Sequence, residues 1–401
     1  MMQQKLTASK RIESIDFIRG IAMVIMALDH TRDYFHIAAN IDDPLNLATT
    51  TPILFLTRWI THFCAPVFVF LSGTSIYLQS LRKTKKELSV FLIKRGLWLI
   101  IAEFVIIAFA WTFNPFFNII PFQVIWTIGI SMVILGVAVR LPFKMVLLIG
   151  LLIVLGHNLL DIPEAAPDFK PGLLWNILHY GHFATYEFAP KHYALIVYPF
   201  LPWTGLMMLG YCVGVFFSPT CSMEQRRSTL TRLGLFLILF FIVVRFINIY
   251  GDPVAWTSQK NGLYTLMSFL TVQKYPPSLM YMCITIGPAL LLLSFMEKIK
   301  NGFTNTMVVF GRTAFFYYIL HLYLIHLLAA ILFFVKGKHT VQFAIDSTKD
   351  LPFMFVIPGE GIRLGLVYLV WIIVIVALYP LCKWYDNYKI NHKEKWWLSY
   401  L

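Results

Sequence analysis

In the segment ESIDFIRGIAMVIMALDHTRDYFH, residues 13–36, Arg19 and His30 sit eleven residues apart among apolar neighbours, with Asp16, Asp29 and Asp33 beside them. On a helix, about 100° and 1.5 Å per residue place Asp16, Arg19, Met23, Met26, His30 and Asp33 along one face, with Arg19 and His30 roughly 16 Å apart on the axis. One face thus carries a cation at one end and an imidazole at the other. Imidazole titrates nearest neutrality, so His30 is suited to general-base work. Asp33, at i+3, is the carboxylate placed to orient it, whereas the adjacent Asp29 points about 100° away. His36 competes as a base. The bland alternative is a buried ion-pair network.

Other segments carry similar groups. In RWITHFCAPVFVFLSGTS, Arg58 and His62 share a face at i,i+4, Pro66 and Gly73 permit irregular backbone, and Ser72, Thr74 and Ser75 either satisfy freed backbone groups or meet a ligand. In GRTAFFYYILHLYLIH, Tyr317 and His321 stand at i,i+4, Arg312 lies near one end to meet an anion or anchor the helix, and His326 reads as a core residue. Prolines in YPFLPW and KYPPSL predict kinked entrances to a cavity, with Trp203 and Tyr275 as wall or interface residues. Glu103 is a further buried acid.

The elements that must position these groups are membrane helices. The chain has 401 residues, 58% hydrophobic and 13% charged, with a mean hydropathy of +0.70, which excludes a soluble globular protein of this size. Apolar runs near 15–35, 53–80, 90–112, 119–139, 143–160, 193–217, 229–249, 275–296, 308–335 and 362–384 predict about ten transmembrane helices. The expected architecture is all-α, a polytopic bundle forming one domain over residues 1–401, embedded in a lipid bilayer.

A net charge of +13 raises nucleic acid as a partner, but the basic residues segregate by loop. Segments on one side, including Lys5, Lys10, Arg11, the Arg82–Lys86 cluster, Lys94, Arg95, Arg140, Arg226, Arg312 and Lys389, hold 21 of the 33 Lys and Arg residues. The charge is therefore read as topology, with both termini cytoplasmic and no nucleic-acid partner. The first helix is expected to be retained rather than cleaved as a signal peptide, because Arg19, Asp29 and His30 interrupt its apolar run. Five scattered cysteines give neither a disulfide framework nor a zinc site. His179 and His182 have metal-ligand spacing but lack a third ligand, so no metal is expected. The loop 161–192, rich in Trp, Tyr and His, suits sugar stacking or an interfacial helix. Nucleotide, zinc-protease and serine-hydrolase motifs find no convincing context.

RIESIDFIRGIAMVIMALDHTRDYF and FCAPVFVFLSGTSIYL together resemble the DUF1624 group related to heparan-alpha-glucosaminide N-acetyltransferase. PFLPWTGLMMLGYCVG, KYPPSLMYM and VVFGRTAFFYYILHLYLIH extend the resemblance over nearly the whole chain. More distantly, the Arg19–His30 spacing, FLSG and YYILHLYLIH are similar to acyltransferase-3-type membrane enzymes, in which such an Arg and His are functional. The resemblance implies transfer of an acetyl or other acyl group from cytoplasmic acetyl-CoA (acyl-CoA) to an amino or hydroxyl group of an extracytoplasmic sugar or glycan. It makes His30, Asp33, Asp29 and His36 the catalytic set. Arg19, Arg312, His321 and Tyr317 become donor contacts, and Arg58, His62, Ser72 and Trp203 acceptor contacts. His30 stands where the lysosomal enzyme has a different residue, and the chain is expected to lack that enzyme's extra lumenal domain, which points to an envelope or periplasmic glycan. The expected location is the cell membrane, as a multi-pass protein of a bacterial inner membrane and a candidate homodimer. The competing reading is a proton-coupled small-molecule transporter using the same buried groups, although no inverted repeat is visible.

Overall fold

The computed structural model describes residues 12–337, 339–348 and 353–399. Lys5, Lys10 and Arg11, used above for topology, lie outside the described residues. Helix α1, Glu13–Phe35, carries acids in its first turn and Arg32 in its last, matching the helix dipole, and ends where His36 turns extended. It is the hub of the bundle. Helix α2, Pro52–Thr61, starts with a proline and with the Thr51 hydroxyl capping Leu54. It breaks at His62–Phe63 before α3, Cys64–Ser80, so the stretch expected as one span over 53–80 is a single candidate span built of two helices. Helix α4, Lys85–Ala102, opens with a Thr84/Glu87 capping box. It runs through a π-helical turn at Glu103–Ile107 into α5, Ala108–Thr112, which Phe113 ends in the left-handed region.

The structure departs from all-α. Strand β1, Ile119–Phe122, begins the segment expected as a helix from 119, and α6 follows over Val124–Ala138. Helix α7, Phe143–Gly156, leads into the loop containing α8, Asp161–Glu164, and α9, Leu173–Leu178. That loop ends in a hairpin of β2, Ala184–Ala189, and β3, His192–Ile196, joined by Pro190 and Lys191, with Lys191 at φ +62°. The sheet order is β1-β3-β2, parallel then antiparallel. Helix α10, Leu201–Val213, is followed by α11, Met223–Ile247, α12, Gly262–Leu270, and α13, Leu279–Met296. The segment expected as one helix over 308–335 is divided at Thr313 into α14, Gly302–Arg312, and α15, Ala314–Lys336. Arg312 therefore does not share a helix with His321. Helices α16, Val341–Ser347, and α17, Leu364–Asn391, precede a final 3₁₀ turn at Trp396–Ser399.

Six helical stretches among the described residues are long and apolar enough to cross a membrane: Pro52–Ser80, Phe143–Glu164, Met223–Ile247, Leu279–Met296, Ala314–Lys336 and Leu364–Asn391. Helices α7, α11 and α17 expose rows of Leu, Ile, Val and Phe, as helices at a lipid-facing rim do. Helix α1 is absent from the six because Glu13, Asp16, Arg19, Asp29, Arg32 and Asp33 interrupt its apolar run; it packs on α2, α3, α13, α14, α15 and α17. The segments grouped above by charge also meet in space. Lys85 donates to the carbonyls of Arg140 and Leu141, Arg226 pairs with Glu297, and Lys300 with Glu13. At the other end of the bundle the His36 and Ile362 backbones bridge, and the Tyr264 hydroxyl donates to the Thr50 carbonyl.

The tightest crossing is α1 on α14. A Cβ added to Gly20 would lie 1.8 Å from the Met307 carbonyl oxygen, and one added to Gly311 would lie 1.7 Å from that of Asp16. Only glycine lets the two backbones touch. Gly311→Ala is expected to lower stability by at least about 2 kcal/mol, because neither backbone can retreat without moving its helix. Gly262→Ala, where an added Cβ meets nothing within 4 Å, is the control. Thermal unfolding of the two variants in detergent checks this.

Candidate active site

Two cavities lie along α1, one at each end. The inner one, about 860 Å³, is walled by Arg19, Met23 and Met26 of α1, Ser72 and Ser75 of α3, apolar Leu99, Ile125, Ile128 and Met132, and Tyr318 of α15. Its rim is basic, carrying Lys83, Arg95, Arg312, Lys389, Lys393 and Lys395. Arg19 donates to the Leu71 carbonyl at 3.0 Å and to the Ser75 hydroxyl, and lies 3.6 Å from Asp16. Arg312 lies 3.8 Å from Asp16 and 3.5 Å from Asp386. The lining combines an apolar wall with a cluster of cations.

The outer cavity, about 80 Å³, is formed by Arg32, Asp33 and His36 at the end of α1 with Asn40, Asp42, Asp43 and Thr49 of the following loop. It is acidic. The Thr49 hydroxyl and the Asn46 amide hold Asp42 below the usual carboxylate range. Partial burial, and then the Arg32 charge, pull His36 below an ordinary imidazole.

His30 is buried on α1 and lines neither cavity, lying one turn past Met26 of the inner wall and just before Arg32 and Asp33 of the outer one. Its Nδ1 lies 2.7 Å from Nε2 of His321, the two rings stacked within 7°. His321 Nδ1 lies 2.9 Å from the Tyr317 carbonyl oxygen, which can only accept. With both rings neutral, His321 therefore carries its hydrogen on Nδ1 and offers Nε2 as acceptor. His30 donates from Nδ1, and its lone pair stands on Nε2. The tautomer is set by α15, not by the carboxylate expected for it: Asp33 pairs with Arg32 instead.

Asp29 joins an ion network below the outer cavity, accepting from Arg58 Nη1 at 2.5 Å and lying 3.0 Å from Arg32 Nη2. His62 is buried against Tyr281, with neither ring nitrogen hydrogen-bonded. Arg58 and His62 thus stand near Asp29 without lining either cavity.

The structure redistributes the remaining expected residues. Ser72 lines the inner cavity, but Tyr317 and His321 do not. The neighbouring Tyr318 does, a residue that the i,i+4 reading of Tyr317 and His321 passed over. Trp203 is wholly buried between Tyr198 and Tyr281 and belongs to the core. Trp111, also missed, packs edge-on to His30 with ring centroids 4.8 Å apart. His326 spans the carbonyls of Ala110 and Met354, as a core residue would. His179 and His182 do not pair. His179 meets Glu164 at 2.8 Å and His157 at 3.2 Å, with Asp161 close by, whereas His182 stacks on Tyr180.

The arrangement sets a hydrogen-bonded imidazole on α1 past a large cavity of apolar and basic lining and before a small acidic one. No curated protein matches the chain. Residues 11–250 match the family described as heparan-alpha-glucosaminide N-acetyltransferase, catalytic, a span from α1 through α11 that includes His30, Arg19, Asp29 and much of the inner cavity. The chain belongs to that family of membrane acetyltransferases.

Proposed function

We propose that the protein transfers an acetyl group from cytoplasmic acetyl-CoA to an amino or hydroxyl group of an extracytoplasmic glycan, with His30 as general base, through a bundle of about ten crossings whose termini are both cytoplasmic. The observation that carries this reading is the position of one tautomer-fixed imidazole on α1, past a cavity of apolar and basic lining and before an acidic one. The basic rim suits the phosphates of CoA, and the apolar wall suits the pantetheine arm. The acceptor enters through the outer cavity, where Asp33, Asp42 and Asp43 favour a cationic or hydroxyl-rich group. His30 Nε2 takes its proton as it attacks the thioester carbon, and returns a proton to the leaving thiolate. Arg19 and Arg312 hold the donor, while Arg58 and Asp29 fix the outer end of α1. His36, on the outer cavity wall, is the alternative base.

The test is release of free CoA from labelled acetyl-CoA by the purified protein with a mixed glycan acceptor. No consumption of acetyl-CoA by the wild type would overturn the reading in favour of a carrier. The rim makes a separate prediction. Replacing Arg95 by alanine is expected to weaken acetyl-CoA about tenfold, the effect of one charge-assisted contact. It should leave S-acetylpantetheine, which lacks the nucleotide phosphates, unchanged; calorimetric titration of both ligands checks it.

A further inference from the structure

Two buried hydrogen-bond donors beside His30 have no role in the scheme above. Trp111 and Tyr318 are 5% and 3% exposed, and neither the indole Nε1 nor the phenol oxygen has a hydrogen-bond partner. Buried Trp and Tyr usually place these groups on a partner, because an unmet donor costs about 1–3 kcal/mol. Both rings stand edge-on to the His30 imidazole, Trp111 with centroids 4.8 Å apart at 73° and Tyr318 with centroids 6.2 Å apart at 75°. The indole nitrogen and the Tyr318 oxygen are also close to each other. Both rings therefore pack beside the base. Tyr318 is in addition part of the inner cavity wall, with Met26, Leu99 and Ile125.

The backbone holds both rings in place. Trp111 lies just after the π-helical turn of Glu103–Ile107, and its own carbonyl accepts from the Tyr34 hydroxyl at 2.6 Å, tying it to α1 one turn beyond His30. Tyr318 precedes His321 by one helical turn, so the element that sets the His30 tautomer also presents this phenol.

We propose that Tyr318 Oη and Trp111 Nε1 form the oxyanion hole of the transfer, donating to the thioester oxygen as it becomes negative. This deepens the transferase reading and rests on it. As the acceptor nitrogen or oxygen bonds to the acetyl carbon, the carbonyl electron pair moves onto oxygen and is held by the phenol O–H and the indole N–H. The acceptor proton passes to His30 Nε2. Collapse of the intermediate re-forms the carbonyl, breaks the carbon–sulfur bond, and sends the proton from His30 to the CoA thiolate. Neither donor changes its own protonation state, and water is kept away by the apolar wall, where such donors act most strongly.

The test compares wild type, Tyr318→Phe, Trp111→Phe and a protein carrying 3-fluorotyrosine at 318, with acetyl-CoA and a glucosamine-terminated oligosaccharide. Loss of one oxyanion donor is expected to lower kcat about 10²-fold in each phenylalanine variant, with KM for acetyl-CoA held within about threefold. The fluorinated phenol, a stronger donor of nearly the same size, is expected to raise kcat with an unchanged melting midpoint. It decides the matter if Tyr318→Phe does not fold. A Tyr318→Phe enzyme with kcat within about threefold of wild type overturns the assignment. So does a fluorotyrosine enzyme with unaltered kcat. Wild-type protein that consumes no acetyl-CoA overturns the transferase reading itself, an outcome distinct from an active wild type with indifferent variants.

Discussion

His30→Ala is expected to reduce acetyl transfer by about 10²- to 10⁴-fold, the usual worth of a positioned general base, while acetyl-CoA binding persists. Binding should survive because the basic rim and the Arg19 end of the inner cavity lie several turns from position 30. The loss should fall on kcat and kcat/KM alike, since the imidazole acts on the proton lost in the transition state. His321→Phe should reproduce part of this effect. Without the Nε2 acceptor 2.7 Å away, His30 is free to take either tautomer, and only one leaves Nε2 available. The measurement is release of labelled CoA under saturating donor, beside a binding titration of each variant. His36→Ala with the full loss, and His30→Ala with none, would move the base to the outer cavity wall.

Helix α1 stands out in the sequence because charges interrupt its apolar run, a signal that needs no partner to be read. The spacing of Arg19 and His30 along one face follows from helical arithmetic on that one element. What arithmetic on one helix cannot supply is the element across from it. Asp33 was the best orienting group within α1, yet His321, 291 residues away, holds the imidazole, and Asp33 turns to Arg32. The same limit explains Tyr318. The i,i+4 spacing of Tyr317 and His321 correctly brings their rings together, 5.1 Å apart, but a meeting of two side chains on one helix does not reveal which face borders a cavity.

The strands and breaks escaped for a different reason. IIPF and HYALI are as apolar as the helices they precede, so hydropathy extends the helices over them. Thr313 divides α14 from α15 next to Gly311, whose backbone lies against that of Asp16, and nothing local marks that contact. Charge patterning reads over the whole chain instead, and segments it groups together touch through Lys85 and Arg140, Arg226 and Glu297, and Lys300 and Glu13.

Asp29→Ala is expected to cost about 3–5 kcal/mol of stability, because it strips the shared anion from two buried guanidiniums. Asp29 lies 2.5 Å from Arg58 Nη1 and 3.0 Å from Arg32 Nη2, with the three side chains 10%, 13% and 4% exposed. Asp33, the remaining nearby acid, is paired with Arg32 alone and lies at 37% exposure. It can offset little of the loss at Arg58. Arg58→Met in the Asp29→Ala background should therefore recover part of the stability, since it removes the stranded cation and keeps the stem that packs against the bundle. A double-mutant cycle by thermal unfolding in detergent measures this coupling, and additive losses would contradict it. The pair joins α2 to α1 one residue before His30. A loosened Asp29–Arg58 link is thus expected to shift the imidazole from His321 as well, so Asp29→Ala should lose more kcat than its folded fraction explains, whereas Gly262→Ala, where an added Cβ meets nothing, should not.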